Sequence, residues 1–185
     1  MFLKFFFYFL IFLNTSFYLY ADKKQLIIDR LLKINNLTFD FEQIVHGKIE
    51  AGTCFLVFNN KLKCEYVDEN QKEILINNKT LVITNKKYKK NYFYPISKSP
   101  FIKILNRSSL ITLVRESNLE LNDNIDLVNL DENGKKIIVF FQKDSYELIG
   151  WKIVDQLQNE IYFSLKIQSI NIEIKDDLFK IPPPN

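Results

Sequence analysis

The chain of 185 residues is 47% hydrophobic and 25% charged, which is typical of one folded domain and excludes a disordered or collagen-like protein. Its four glycines leave no glycine-rich phosphate loop, and one histidine with two cysteines is too few for a zinc site, so we expect no cofactor and no metal. The formal charge is only +3, and lysines far outnumber arginines, so nucleic acid is not an expected partner.

The N-terminal 21 residues have the pattern of a secretory signal peptide. Lys4 gives a positive start, residues 5–20 are almost all apolar, and the small residue Ala21 ends the run. This run contains polar interruptions and is shorter than the roughly 20 residues that span a bilayer. We therefore predict that residues 1–21 are cleaved on export and that residues 22–185 form a single exported domain. An uncleaved membrane anchor is the alternative.

The exported part is predicted to begin with one helix and to continue as strands. The helix runs from Asp22 to just before Asn35, with its apolar positions on one face. From Leu37 onward the apolar period changes to two, which predicts half-buried antiparallel strands. Their turns are expected at three asparagine-containing pairs: Asn59-Asn60, Asn77-Asn78 and Asn133-Gly134.

Cys54 and Cys64 flank the first of these turns, and export would permit them to form a disulfide. A two-residue turn would place the two side chains on opposite faces of the hairpin, whereas a three-residue loop or a bulge would place them on the same face. Free thiols packed as small apolar residues are the other interpretation. The sequence leaves both open.

A different segment, from Ser97 to Ser117, separates two groups of strands. Ser99-Pro100 has the pattern of a helix N-cap followed by proline at the first helical position, and many of the following residues are apolar. Short helices are therefore predicted here. An antiparallel sheet with one apolar face needs a cover, and these helices with the N-terminal helix are the available ones. The expected fold is α+β and mainly β, with helices forming a lid over an apolar cavity on the concave side.

Several short motifs resemble those of the periplasmic outer-membrane lipoprotein carriers, the LolA family. In chain order they are Phe39-Asp40-Phe41-Glu42-Gln43, Gly47, Gly52, Leu62-Lys63-Cys64-Glu65-Tyr66, Asn78-Lys79-Thr80-Leu81, Ser99-Pro100-Phe101, Gly150-Trp151-Lys152-Ile153, Asp155-Gln156, Asn159-Glu160-Ile161, Asn171 and Asp177-Leu178-Phe179-Lys180-Ile181-Pro182. Their order and spacing, which extend over nearly all of residues 22–185, carry the resemblance.

The resemblance implies an unclosed antiparallel β-barrel, or half-barrel, with a helical lid and no enzymatic activity. Such a carrier receives acylated lipoproteins from an inner-membrane ABC lipoprotein-releasing transporter, crosses the periplasm as a monomer, and delivers them to an outer-membrane acceptor or directly to the outer membrane. A periplasmic module that senses lipids or lipoproteins on the same half-barrel is an alternative. A hydrolase that uses a serine and His46 is disfavoured because no Gly-x-Ser-x-Gly turn is present.

Strand alternation predicts which side chains contact the acyl chains. The residues placed on the cavity side or beneath the lid are Phe39, Phe41, Phe55, Val57, Tyr66, Leu81, Ile83, Phe101, Ile104, Leu105, Trp151, Phe163 and Leu165. A dry, filled core made by the same residues is the other interpretation.

Two positions depart from the family pattern. Family members carry an Arg-Pro pair where this chain has Phe58-Asn59, and that arginine holds the lid helices; many also carry an arginine where Lys63 stands. With the latch position occupied by Phe58 and Lys63, we expect a looser lid held mainly by apolar contacts, which Phe58→Arg would tighten.

One basic segment, from Lys86 to Lys90, has two interpretations. It could dock on an acidic partner or on anionic lipid headgroups, or it could be a solvated strand edge whose charges prevent aggregation.

Overall fold

The computed structural model describes residues 22–96, 102–130, 134, 136–154 and 159–184. The predicted signal peptide, the predicted Ser99-Pro100 helix start and Phe101 lie outside the described residues. No helix within these ranges is long and apolar enough to cross a membrane.

The described residues form one sheet in which every pair of neighbouring strands is antiparallel. Its strands are β1 (Asn36–Val45), β2 (Lys48–Val57), β3 (Lys61–Tyr66), β4 (Lys72–Asn77), β5 (Thr80–Asn85), β6 (Lys90–Pro95), β7 (Asn118–Leu121), β8 (Ile125–Leu130), β9 (Lys136–Phe141), β10 (Leu148–Val154) and β11 (Glu160–Ile170). Their order is β6-β5-β4-β3-β2-β1-β11-β10-β9-β8-β7, so β6 and β7 are edges and the sheet is not closed. The prediction of an unclosed, mainly β fold is confirmed.

Pairing of the first and last strands joins the two halves of the sheet. The centre of β1 pairs on one side with β2, where Phe41 lies opposite Gly52, and on the other with β11, where Phe41 lies opposite Leu165. Because each half is otherwise a meander of sequential neighbours, this one pairing of distant segments defines the architecture.

Three helices cover the inner face of the sheet. Helix α1 occupies residues 22–32, close to the predicted span, and the segment between β6 and β7 forms α2 (Ile102–Leu105) and α3 (Arg107–Glu116). The Asn106 side chain separates the last two helices, since its Oδ1 accepts a hydrogen bond from the backbone N–H of Ser109 at 3.0 Å and caps α3.

A second, smaller core lies on the outer face. A 3-10 helix (Asp176–Phe179) places Phe179 against Leu75 and Val82, and Phe55 and Val57 pack on this cluster. The predicted cavity-side placement of Phe55 and Val57 is therefore wrong. Because β2 is covered on both faces, apolar residues follow one another without interruption at its end, and alternation there does not distinguish the two faces.

The turns agree only in part with those expected. The hairpin between β2 and β3 uses a three-residue loop, in which Asn59 and Asn60 have φ of 78° and 75°. The predicted two-residue turn at Asn133-Gly134 is wrong, because Leu130 pairs with Lys136 and five residues separate them. In both cases the asparagines mark the turn but do not determine its length.

The three-residue loop brings Cys54 directly opposite Cys64, and the two form a disulfide in the structure. Both residues are buried among the inner-face residues. Free thiols, the other interpretation of the sequence, are not what the structure shows.

Loss of this disulfide is expected to lower the free energy of unfolding by about 2–3 kcal/mol, the cost associated with opening a loop of this size. Urea unfolding of the oxidised protein, the reduced protein and the Cys54→Ala/Cys64→Ala variant would measure it. The double variant controls for incomplete reduction, and equal stabilities for all three would contradict the expectation.

Candidate functional site: an apolar cavity between the sheet halves

An apolar cavity of about 170 Å³ lies between the two halves of the curled sheet. Strands that are far apart in the sheet order face each other across it, β3 to β5 on one side and β10 with β11 on the other. It is lined by Gln43, Leu62, Cys64, Tyr66, Ile74, Ile76, Leu81, Ile96, Trp151, Ile153, Ile161 and Phe163. Only Gln43 among them carries an amide or a charge, so the cavity suits hydrocarbon.

A row of aromatic rings borders the cavity: Trp151, Phe163 and Tyr66 line it, and Phe41 belongs to the filled core beside it. Trp151 stacks on Phe163 with ring centroids 4.2 Å apart, Phe163 stacks on Phe41 at 5.0 Å, and Phe41 meets Tyr66 edge to face at 4.9 Å. Gly52 gives the Phe41 ring its space, because a Cβ there would lie 2.9 Å from Phe41 Cε1 and 2.1 Å from the Glu65 carbonyl oxygen. The row fixes the indole of Trp151 against the cavity.

Of the residues predicted to contact a ligand, four line this cavity: Tyr66, Leu81, Trp151 and Phe163. Five others are buried on the same inner face but belong to the filled core: Phe39, Phe41, Ile104, Leu105 and Leu165. Ile83 lies on the inner face of β5, two residues beyond Leu81 and opposite Tyr92 of the edge strand. The structure thus contains both arrangements that the sequence left open, a filled core near the helices and a cavity beside it.

Eight cavity residues were missed by the sequence reasoning. Most are the next inward positions of strands already identified, such as Ile153 two residues after Trp151 and Ile161 two residues before Phe163. Consistent application of the two-residue period would have found these. Ile96 had no such signal, because it follows the edge strand in an irregular segment.

A polar cluster lies at one end of the cavity. Gln43 Nε2 donates to Glu50 Oε2 at 2.6 Å, and Lys72 Nζ donates to the same oxygen at 2.7 Å. Lys72 Nζ also lies 3.8 Å from the centre of the Tyr66 ring. Burial raises the pKa of the Tyr66 phenol, with the Glu50 charge adding to it, so this phenol stays neutral and can donate a hydrogen bond.

The charge of Glu50 is stabilised in this cluster. Burial alone would raise the pKa of its carboxyl, but hydrogen bonds from Lys72 and Gln43 and the charges of Lys72 and Lys48 outweigh it and hold the pKa below the usual 4.5. A carboxyl whose pKa is lower in the folded state stabilises the fold above the unfolded-state pKa, and that contribution is lost as pH falls through the folded-state value.

Glu50→Gln is therefore expected to lower the free energy of unfolding at pH 7 by about 1–2 kcal/mol, since it removes the negative charge that accepts the hydrogen bond from Lys72. The difference between the two proteins should shrink below pH 4.5, where the wild-type carboxyl is progressively protonated. Urea unfolding at a series of pH values would test this. A difference that does not depend on pH would contradict the assigned charge.

Both ends of α3 are fastened to the region of α1. At one end, Arg107 donates from Nη2 to the Ile34 carbonyl and to Asn35 Oδ1 (3.1 Å), and its guanidinium lies 5.3 Å from the centre of the Phe58 ring. At the other end, Lys24 Nζ donates to the carbonyls of Arg115 and Ser117 at 2.9 and 2.5 Å.

These contacts change the interpretation of the latch. Phe58 lies at the predicted latch position, but its ring packs beneath the guanidinium of Arg107, which belongs to the lid helix α3. Lys63 does not take part: it lies on the outer face, 3.2 Å from Glu65 and 3.5 Å from Glu73. Its predicted role as a latch residue is wrong, because it shares the outer face of the hairpin with Phe55, its partner in β2.

Comparison with known proteins identifies the family. The family model of the outer membrane lipoprotein carrier protein LolA matches residues 32–182. The chain belongs to the LolA family. Its matched region contains all eleven strands described above and the helices α2 and α3. A comparison with curated proteins found no match.

Solved structures that are similar to this chain share little of its sequence. An uncharacterized conserved protein from Thermus thermophilus is 8% identical, with a TM-score of 0.50 over 88% of this chain and 94% of that one. A LolA superfamily protein from Nitrosomonas europaea is 8% identical, with a TM-score of 0.44 over 85% and 97%. A putative outer membrane lipoprotein-sorting protein domain from Vibrio parahaemolyticus is 10% identical, with a TM-score of 0.44 over 86% and 97%.

Proposed function

We propose that this LolA-family protein is a periplasmic carrier that binds the acyl chains of lipoproteins released from the inner membrane and delivers them to the outer membrane. The observation that carries the proposal is the apolar cavity between the sheet halves, in a chain whose family model is a lipoprotein carrier. An inner-membrane ABC transporter would supply the lipoprotein, and an outer-membrane acceptor or the membrane itself would receive it.

Hydrocarbon burial supplies the driving force for this carriage. Each Å² of apolar surface removed from water contributes about 25 cal/mol, so a free acyl chain in the periplasm is strongly disfavoured relative to one inside the protein. The lining offers few polar atoms that binding would leave without partners. The carrier needs no covalent chemistry, and the described residues hold no group of three or more potential metal-binding side chains.

The cavity must enlarge to take its ligand. At about 170 Å³ it is smaller than the roughly 300–1,000 Å³ of sites that enclose a drug-sized molecule. The helices on the inner face are the elements that can move without breaking the strand ladder, so release of α3 from α1 is the proposed opening step. The polar cluster around Glu50 and Lys72 would then lie near the glyceryl end of the bound lipid.

The proposal is tested by mass spectrometry of lipoproteins that co-purify with the periplasmic protein. Wild-type protein is expected to retain acylated lipoproteins, and Leu81→Asp is expected to lose them, because an unpaired carboxylate on the cavity wall disfavours hydrocarbon. Glu65→Asp, an exposed outer-face change that adds no charge, is the matched control. The absence of acylated species from folded wild-type protein would contradict the proposal.

A further inference from the structure

An exposed edge hairpin, formed by residues 85–95, has an unusual density of positive charge. It contains four lysines and no acidic residue: Lys86, Lys87, Lys89 and Lys90. Lys86 is paired with Glu73, with Nζ 2.8 Å from Oε2, and no salt bridge is found between the other three and any described residue. The nearby acids are Asp68 and Glu69 on the adjoining turn, together with Glu73 and Glu65, whose charges act on Lys86.

The same hairpin exposes four aromatic side chains. Their exposed fractions are 60% for Tyr88, 47% for Tyr92, 39% for Phe93 and 47% for Tyr94. Lysines alone would protect a sheet edge from aggregation, but exposed aromatics next to them work against that protection. Rings with a polar tip beside basic residues are the combination that proteins place at the interface between a membrane and water.

One side of the hairpin lies on the same face of the sheet as the cavity. Alternation along β6 puts Lys90, Tyr92 and Tyr94 on the inner face of the sheet, and Tyr94 lies opposite Leu81, which lines the cavity. The outer side of β6 is followed by the C-terminal segment, where Pro183 accepts a hydrogen bond from Asn91 Nδ2 at 3.0 Å. The side of the edge hairpin that carries Lys90, Tyr92 and Tyr94 is therefore the side that continues into the cavity.

We propose that the edge hairpin docks this protein on a bilayer surface rich in anionic phospholipids, with the lysines at the headgroups and the tyrosines at the interface. Docking in this orientation would bring the side of the cavity at Leu81 toward the membrane. The inference goes beyond carriage in solution, because it assigns a lipid surface, rather than an acidic protein, as the partner of this edge.

Co-sedimentation with vesicles tests the proposal. The exported chain, residues 22–185, should bind vesicles of phosphatidylcholine mixed with phosphatidylglycerol and not vesicles of phosphatidylcholine alone, and high salt should weaken binding. Lys87→Glu/Lys90→Glu should weaken it by about tenfold or more, since each lysine near an anionic surface contributes roughly a fivefold factor. The matched control, Lys136→Glu/Lys143→Glu, makes the same charge change in the other half of the sheet and should bind as wild type does.

A second pair of measurements separates the possible outcomes. Tyr92→Ser/Tyr94→Ser should reduce binding that persists at high salt, which pure charge attraction would not explain. No binding to anionic vesicles, equal loss in the control pair, or binding to an acidic polypeptide in place of the vesicles would overturn the proposal. Binding of an acylated peptide in solution should be unchanged in Lys87→Glu/Lys90→Glu, so failure of this docking is distinguishable from failure of the carrier function.

Discussion

Replacing Phe163 with alanine is expected to lower the free energy of unfolding by about 3–5 kcal/mol, the range for removing a buried aromatic ring. Phe163 is 5% exposed, stacks between Trp151 and Phe41, and meets Phe39 edge to face, so its loss removes three ring contacts and leaves a void at the centre of the sheet. Against a typical total of roughly 5–15 kcal/mol, this is a large part of the stability. Urea unfolding followed by far-ultraviolet circular dichroism would measure it.

The adjacent residue on the same strand provides a matched control. Tyr162 is 42% exposed and contacts Phe140, which alternates with the inward residue Val139 on β9, so Tyr162→Ala should cost about 1 kcal/mol or less. Similar losses for Phe163→Ala and Tyr162→Ala would contradict the assignment of the aromatic row as the centre of the inner core.

Replacing Arg107 with alanine is expected to release the N-terminal end of α3. The guanidinium donates to the Ile34 carbonyl and to Asn35 Oδ1, and it covers the Phe58 ring. Hydrogen bonds from a charged group contribute about 1.5–3 kcal/mol, so amide hydrogen exchange in residues 107–116 should become about 10–100-fold faster. Uptake of acylated ligands should also become faster, if opening of this helix admits them.

Arg115→Ala is the control for that experiment, because Arg115 lies on the same helix with an exposed side chain, and only its backbone carbonyl holds Lys24. The sequence-based expectation for Phe58→Arg must be revised. A second guanidinium at position 58 would lie beside Arg107, and repulsion between like charges should loosen the helix rather than tighten it. Unchanged exchange in Arg107→Ala would show that the Arg107 contacts do not hold α3 in place.

Alternation predicted the inner face well where the other face is polar. In β1, Phe39 and Phe41 alternate with Asp40 and Glu42, so the buried side is evident from the sequence, and the structure buries both rings. In β2 the signal fails, because Phe179, more than 100 residues later, covers the outer face and makes both faces apolar there. The outer core is a product of tertiary packing that local periodicity does not contain.

The contacts that hold α3 could not be predicted from the sequence for a related reason. Arg107 and Asn35 are separated by 72 positions, and nothing in the local pattern around Arg107 indicates its partner. The family pattern directed attention to the position occupied by Phe58, which is the correct place in the fold but carries the ring rather than the charge. The cysteine pairing depended in the same way on a turn length that Asn59-Asn60 leaves open.

The most direct test of acyl-chain binding uses Trp151, the only tryptophan of the chain, which lines the cavity. A lipopeptide with bromine atoms on its acyl chains quenches indole fluorescence only at close contact, and the same lipopeptide without bromine controls for other effects of binding. The brominated form is expected to quench Trp151 in a saturable way, and the unbrominated form, at equal occupancy, is not. Tight binding of both forms with no quenching would place the acyl chains outside this cavity and contradict the proposed binding site.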